Sequence, residues 1–289
     1  MSMQAIKELR ETSGAGMLDC KKALTETNGD LEAAKDWLRK KGLAKAAKKA
    51  DRVAAEGLVA MKIEGNKGTV VEVNSETDFV AKNEQFQKFV SEVANCAFDK
   101  DGDIEAIKAE KETAIAENTA SIGEKLEIRR AAKLEADVVT GYIHTATAEG
   151  MGKIAVLVGV NGAAADKADE IKKIAMHVAA ANPISATIAE VPAENVERER
   201  AIFKEQAIAS GKPAEIAEKM VEGRIRKFYE EVVLEEQTFV MDTNKKIKDV
   251  IKELGPEAKL VGFVKFTLGE GIEKKVDNFQ EEVMQQAGL

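Results

Sequence analysis

The chain has 289 residues, a length that predicts two or three compact units rather than one. Hydrophobic residues make up 44% of the sequence, charged residues 33% and aromatic residues 4%, which is typical of a globular protein whose cores consist of Ala, Val, Ile and Leu. The formal net charge of −8 argues against a general nucleic-acid-binding protein, because binding to phosphates needs a surplus of Lys and Arg.

The first predicted elements are three short helices within residues 3–41. Segment 13–16 ends the first helix and segment 28–30 separates the second from the third, with Asp30 as a predicted N-cap. Apolar residues recur every three to four positions, so each helix has one apolar face and the three can enclose a small core. These residues are Met17, Cys20, Leu24, Leu31, Ala34, Trp37 and Leu38. The arrangement resembles a ubiquitin-associated bundle, and residues 1–52 are assigned to it and to the linker that follows.

A basic segment follows the bundle, with seven Lys and Arg residues between Arg39 and Arg52 and one acid, Asp51. Two interpretations are open, a nucleic-acid-binding patch and a solvated helical linker. Aromatic residues that would stack on bases are absent from the segment. We therefore favour the linker and expect no nucleic-acid partner.

From Gly57 the sequence alternates with a period of two, which predicts two antiparallel strands around a turn at 64–68. A helix with Phe86, Val90, Val93 and Ala97 on one face follows, and its predicted start is a capping signal between Ser75 and Asp78. Helices around 103–127 and an alternating run at 128–138, interpreted as a third strand, complete the prediction. We expect these elements to form a first core subdomain at residues 53–138.

The same arrangement recurs further along the chain. Gly57, Gly68, Val70 and Val90 correspond to Gly141, Gly152, Ile154 and Ile174, a constant spacing of 84 residues. A constant spacing of this kind indicates an internal duplication. We therefore predict an α+β fold with two duplicated subdomains, each containing a small antiparallel sheet.

The second copy is interrupted by an insertion at residues 183–230. Two charged helices are predicted within 193–235, split at 210–213 by a helix stop and a helix start. The second helix has an apolar seam, so an antiparallel coiled-coil hairpin is expected. The seam consists of Val221, Ile225, Phe228 and Val232. The second subdomain then comprises 139–182 and 231–269, with a helix near 244–254 and a strand at 260–268, and residues 270–289 form a final helix.

The sequence contains no motif for enzymatic chemistry. It has no GxxxxGK[ST] phosphate-binding loop, no GxGxxG after a strand, and no HExxH or paired CxxC motif. His144 and His177 lie in different copies of the repeat without a nucleophile nearby. We expect no enzyme activity, no cofactor, no bound metal and no direct nucleotide binding.

Two features bear on the cellular compartment. Cys20 and Cys96 are the only cysteines, which is typical of a reducing compartment. The first ten residues carry charges and lack the apolar stretch of a signal peptide, and no window approaches ~18 apolar residues. We therefore expect a cytoplasmic protein without a membrane partner.

Several segments carry a resemblance to a known family. They are LRETSGAGMLDCKKAL at 9–24, TDFVAKN at 77–83, IAMHVAA at 174–180, IAEKMVEGR at 216–224 and GEGIEK at 269–274. These strings resemble the bacterial elongation factor Ts family, and the likeness runs from end to end. Residues 99–125 are the least familiar part, and no role is carried over to them.

The resemblance implies an exchange factor that binds the GTPase elongation factor Tu, in its GDP-bound and nucleotide-free forms, and promotes GDP release. In this family the Asp78–Phe79 pair, within the segment Thr77, Asp78, Phe79 and Val80, is implied to enter the GTPase near its magnesium site. The other implied contacts are Arg10, Met17, Leu18 and Lys21 in the N-terminal bundle, and His144, Val240 and Met241 in the second subdomain.

The residue pattern alone leaves other roles open for some of these positions. Phe79 shares a helical face with Phe86, which is typical of a core aromatic, and Asp78 is placed as a helix cap. Met17 and Leu18 lie about 100° apart on a helix, so we expect at least one to be exposed.

In the second subdomain, too, the residue pattern by itself indicates structural rather than partner-binding roles. His144 shares a strand face with Tyr142 and is typical of a packed or half-exposed strand residue. His177, inside an apolar helix, is interpreted as structural. Val240 and Met241 would be core residues by pattern.

A scaffold without exchange activity is the alternative function. The ubiquitin-associated-like bundle and the helical hairpin would suit an adaptor or a chaperone-like protein. The sequence leaves open whether the chain forms a homodimer or a 2:2 complex with the GTPase, and whether the hairpin mediates self-association.

Overall fold

The computed structural model describes residues 2–209, 211 and 214–273. It consists of helices and one antiparallel sheet, which is the predicted α+β class. Most of the predicted final helix, residues 274–289, lies outside the described residues. Within the described ranges, no helix is both long enough and apolar enough to cross a membrane.

The N-terminal bundle consists of α1 (Met3–Ser13), α2 (Met17–Glu26) and α3 (Leu31–Ala47). Gly14 ends α1 at a φ of 65°, and the Asp30 side chain begins α3 by accepting a hydrogen bond from the Ala33 N–H at 3.0 Å. The buried core comprises Ile6, Leu9, Cys20, Ala23, Leu24 and Ala34. Met17, predicted for this core, is instead 50% exposed, because it is the first residue of α2 and lies at the edge of the bundle.

The basic segment is helical as far as Ala47, but one of its faces is packed rather than solvated. α3 lies against α5 (Ile104–Ile122), where a Cβ added to Gly42 would be 3.5 Å from the Cβ of Ala120. Arg39 donates a hydrogen bond to the Thr113 hydroxyl at 2.9 Å. The face of α3 with Arg39 and Gly42 therefore attaches the bundle to α5.

The sheet has two three-stranded halves in the described part of the chain. Its strands are β1 (Glu56–Glu64), β2 (Lys67–Ser75), β3 (Glu127–Glu135), β4 (Val138–Ala148), β5 (Met151–Asn161) and β6 (Lys259–Thr267). One half has the order β3-β2-β1 and the other β4-β5-β6, with every pair antiparallel. The halves join where Val59 and Ala60 pair with Gly152 and Met151, so the two predicted sheets are continuous.

The predicted duplication is visible in the order of these elements. β1, β2 and α4 (Glu84–Asp99) precede β3 in the first half. β4, β5 and α6 (Ala168–Ala181) precede β6 in the second half, where the insertion and α9 (Ile247–Glu253) intervene. In both halves the central strand is the second one, β2 or β5.

Three apolar clusters hold these layers together. α4 and α5 cover one face of the first half, and α6 and α9 cover one face of the second. The remaining faces share a third cluster, to which β1, β2, β4, β5 and β6 all contribute buried side chains. The approach is close at Gly68, where an added Cβ would lie 3.0 Å from methyl groups of Leu157 and Val139.

The insertion is an antiparallel pair of helices, α7 (Ala193–Ala209) and α8 (Ala214–Val232), as predicted. Its buried residues are Ala207, Ala217, Val221 and Ile225, with Phe203 and Tyr229 packed beside them. The predicted seam residues Phe228 and Val232 both lie outside this cluster, whereas Tyr229 packs within it.

The two ends of the insertion lie side by side. Ser185 pairs with Val233 in a parallel bridge, and the Ile184 N–H donates to the Val232 carbonyl at 2.9 Å. The Leu234 N–H in turn donates to the Ser185 carbonyl at 2.9 Å. Both Val233 and Leu234 are fully buried, so the base of the hairpin is fixed in the core.

Candidate partner-binding surface

The segment after β2 forms a short exposed turn. Phe79 is 81% exposed and Asp78 is also exposed, whereas Val80 is buried against the first apolar cluster. A 3-10 turn, Val80–Lys82, connects this turn to α4. Within the predicted four-residue contact, Asp78 and Phe79 are therefore the two exposed residues, while Thr77 is half-buried.

The helix after this turn begins later than predicted. α4 starts at Glu84, and its cap is Asn83, whose side chain accepts a hydrogen bond from the Phe86 N–H at 3.1 Å. The predicted capping signal between Ser75 and Asp78 is wrong, because the extra 3-10 turn intervenes. The alternative of Phe79 as a core aromatic is also wrong, because its ring is outside the core while Phe86 is fully buried.

The backbone before the exposed pair is held by hydrogen bonds. The Glu124 carboxylate accepts from the Thr77 N–H at 2.9 Å and from the Thr77 hydroxyl at 2.6 Å. The Ser75 hydroxyl donates to the Thr77 carbonyl at 3.0 Å. The hydroxyl of Thr77, part of the predicted contact, is thus engaged within the chain.

A second exposed surface lies on the N-terminal bundle. Leu18 is 83% exposed and Met17 is 50% exposed, and Arg10 and Lys21 are exposed as well. A shallow groove of about 520 Å³ brings Arg10 and Met17 together; its other lining residues are Met3, Gln4, Ile6 and Lys7. Apolar side chains beside basic ones give this surface the means to contact an apolar and acidic partner face.

A third exposed surface lies on the second half of the molecule. Val240 is 49% exposed and Met241 is 46% exposed, so the interpretation of both as core residues is wrong. His144, on β4, is exposed, and its Nδ1 lies 3.1 Å from the Tyr142 hydroxyl. Tyr142 and Phe239, next to these exposed residues, pack in the same apolar cluster.

A buried histidine supports the Val240 turn. His177 is fully buried, with its Nε2 2.8 Å from the Gln237 amide oxygen, and its Nδ1 accepts a hydrogen bond from the Val240 N–H at 3.3 Å. These partners assign the proton of the neutral ring to Nε2. Burial lowers the pKa of His177, which the hydrogen bond to Gln237 only partly offsets. His177 is structural as predicted, but it also fixes an exposed turn.

The start of the C-terminal segment is fixed by a buried carboxylate. Glu72 is fully buried on β2, where it pairs with Arg129 at 3.1 Å and with Arg130, and accepts from the Gly269 N–H at 2.8 Å. Arg130 also donates to the Thr267 carbonyl at 2.9 Å. Burial acts to raise the pKa of Glu72, but the hydrogen bonds from Gly269, Asn74 and Arg130 together hold it below its usual value.

Three residues of this architecture have roles that the sequence pattern does not predict: Glu72, Glu124, and His177 in its support of Val240. For Glu72 a signal exists, a lone acid within the apolar run Val70 to Val73 that no polar face requires. Glu124 and His177 act through contacts that are 47 and 63 residues away along the chain, and local periodicity carries no information about them.

The described ranges contain neither a metal-binding cluster nor a disulfide. No set of three or more His, Cys, Asp and Glu side chains there is arranged to hold a metal ion. Cys20 and Cys96 are both free and buried.

The chain is similar to known proteins along nearly its whole length. The family model described as Elongation factor TS matches residues 76–270. Elongation factor Ts of Paramagnetospirillum magneticum is 57% identical over 299 residues, covering 98% of this chain and 96% of that protein. Elongation factor Ts of Rhodospirillum rubrum is 57% identical, with 97% and 96% covered, and that of Bartonella bacilliformis is 54% identical, with 96% of both covered.

Proposed function

The chain belongs to the elongation factor Ts family of translation elongation factors, and from this premise we propose that it binds elongation factor Tu in its GDP form and promotes GDP release. GTP then rebinds to the empty GTPase. The observation that carries the proposal is the presentation of Asp78 and Phe79 on an exposed turn between two buried anchors, β2 and Val80.

The exposed pair has the chemistry to disturb a magnesium and phosphate site. A GTPase holds GDP through backbone donors, a lysine and a magnesium ion whose charge offsets the phosphates. A ring placed beside that ion would displace its ligands, and a carboxylate would compete with the phosphates for its positive charge. Loss of that neutralisation weakens the binding of GDP, so its release becomes faster.

Affinity is assigned to the other two exposed surfaces. Every tenfold faster release requires about 1.4 kcal/mol to be removed from the barrier. By linkage, a factor that binds the empty GTPase more tightly than the GDP form lowers GDP affinity by the same ratio. We assign the required contacts to the Met17–Leu18 surface on the bundle and to His144, Val240 and Met241, all of which are exposed.

Exchange of this kind is a binding process without a covalent step. We therefore assign the chain no catalytic residue and no nucleotide of its own, and place its action in the cytoplasm, where translation takes place. A homodimer and a 2:2 complex with the GTPase are both compatible with the proposal.

Release of a fluorescent GDP analogue tests the proposal directly. Elongation factor Tu is loaded with the analogue, chased with excess unlabelled GDP, and mixed with increasing concentrations of the factor. We expect release to accelerate and to saturate. An unchanged rate, together with binding detected by another method, would favour the adaptor or chaperone-like alternative.

A further inference from the structure

Two short segments hold each other in place beside the exposed turn. Glu124 follows α5 and binds both hydrogen-bond donors of Thr77, the N–H at 2.9 Å and the hydroxyl at 2.6 Å. In return, the Glu76 carboxylate accepts from the N–H of Lys125, the residue after Glu124. Glu76 also pairs with Arg52 at 3.1 Å. Residues 76–77 and 124–125 are thus joined reciprocally, each providing a carboxylate to the backbone of the other.

This pairing fixes one side of the exposed turn. Thr77 directly precedes Asp78, and Val80, buried in the first apolar cluster, directly follows Phe79. The Phe79 ring is 81% exposed, so its own contacts contribute little to its position. Its direction depends on the backbone at the two ends of the turn, and Glu124 sets the first of them.

We propose that Glu124 is a positioning residue for nucleotide exchange, which acts by holding Thr77 so that Asp78 and Phe79 are presented in one orientation. The inference rests on the proposed function. Hydrogen bonds to a carboxylate are stronger than those between neutral groups, and two of them on one residue restrict its backbone and its side chain together. Ordering the turn before the GTPase binds avoids that ordering cost at the moment of binding.

A purely local role for Glu124 does not account for these contacts. Gly123 ends α5 at a φ of 91°, with its N–H bonded to the Thr119 carbonyl at 3.1 Å. The helix is therefore closed before Glu124, whose carboxylate is directed at a residue 47 positions earlier in the chain. This contact also assigns a role within residues 99–125, to which the family resemblance assigned none.

The first test measures the turn in the free factor. Amide hydrogen exchange at Thr77 is compared in the wild type, Glu124→Gln and Glu124→Ala. Gln keeps one neutral acceptor while Ala keeps none, so we expect Thr77 protection to fall in that order, by at least about tenfold for Ala. Glu112→Gln, an exposed carboxylate on α5, is the matched control and should leave Thr77 unchanged. Equal protection in all the proteins would show that Glu124 does not hold the turn.

The second test measures release of fluorescent GDP. We expect Glu124→Gln to lower the maximum release rate about tenfold, with a smaller change in the concentration for half-maximal effect. In a background that already carries Asp78→Ala and Phe79→Ala, the same substitution should cause no further loss, because Glu124 acts through those side chains.

The outcomes separate this inference from the proposed function. No acceleration by the wild type refutes the exchange function itself. Acceleration by the wild type together with full activity of Glu124→Gln refutes the positioning role only. A tenfold loss that persists without Asp78 and Phe79 also refutes it, because the substitution would then act by general destabilisation or by direct contact with the GTPase.

Discussion

The imidazole of His177 accepts a hydrogen bond from the backbone N–H of Val240 at 3.3 Å, so a fully buried side chain supports a half-exposed turn. The other ring nitrogen is held by Gln237, whose own amide donates to the Glu231 carbonyl at 2.7 Å. The turn is therefore connected through side chains to the end of α8, at the base of the hairpin.

His177→Ala should destabilise the fold. The substitution leaves a cavity, and it leaves the Val240 N–H without its acceptor and the Gln237 amide oxygen without its donor. Together these changes predict a loss of about 2–4 kcal/mol in the free energy of unfolding. Urea denaturation measures it. His144→Ala makes the same chemical change at an exposed position and should alter stability by less than about 0.5 kcal/mol. Equal effects at both positions would contradict the assigned role.

Stability should also depend on pH through His177. Its pKa is lowered in the folded state from the usual value of 6.5, so the unfolded chain binds more protons between the two values. The contribution of the neutral ring to the free energy of unfolding is complete above pH 6.5 and is lost as the pH falls toward the folded-state pKa. Between the two pKa values, the free energy of unfolding should fall by up to about 1.4 kcal/mol for each pH unit. Urea midpoints from pH 8 to pH 5 measure this slope, which should be absent in His177→Gln.

Phe79→Ala should slow GDP release at least about tenfold while leaving the fold intact. Because the ring is 81% exposed, its removal should change the free energy of unfolding by less than about 0.5 kcal/mol. Phe86→Ala, in the buried part of the same region, should instead cost about 3–5 kcal/mol. Thermal unfolding and the release assay on both variants provide the comparison. A large loss of stability in Phe79→Ala would return the ring to a structural role.

Glu72→Gln should be costly although it preserves the shape of the side chain. It leaves Arg129 and Arg130 next to each other without their shared carboxylate, which predicts a loss of about 2–4 kcal/mol in the free energy of unfolding. The loss should be smaller than for a fully buried ion pair, because both guanidinium groups are partly exposed. Glu64→Gln, which changes an exposed carboxylate paired with Lys62, should lower the free energy of unfolding by less than about 1 kcal/mol. Chemical denaturation distinguishes the two, and similar midpoints would contradict the anchoring role of Glu72.

Much of the fold follows from local patterns in the sequence. Alternation from Gly57 identifies β1 and β2, the spacing of Val221 and Ile225 identifies α8, and the 84-residue repeat anticipates the second half of the sheet. The boundary of α4 was misplaced because Asn83, not Asp78, caps it, and a 3-10 turn has no strong periodic signature.

The surfaces are harder to predict than the elements. Periodicity treated Phe79 and Val240 as core residues, because it cannot distinguish an apolar side chain that packs from one that is presented to solvent. The family resemblance selected both for the surface, and both are exposed. Glu124 escaped both approaches, since its contact with Thr77 depends on the tertiary path of the chain.

The adjacent ends of the α7–α8 insertion have a structural consequence. Ser185 and Val233 form a bridge, and Leu234 is buried at the same place. The chain therefore leaves and re-enters the second half at adjacent positions that are held in place. The hairpin between these positions can be lengthened, shortened or replaced by another module without moving the residues of the second half of the molecule. A hairpin of another length, or another inserted module, is therefore compatible with the same second half of the molecule.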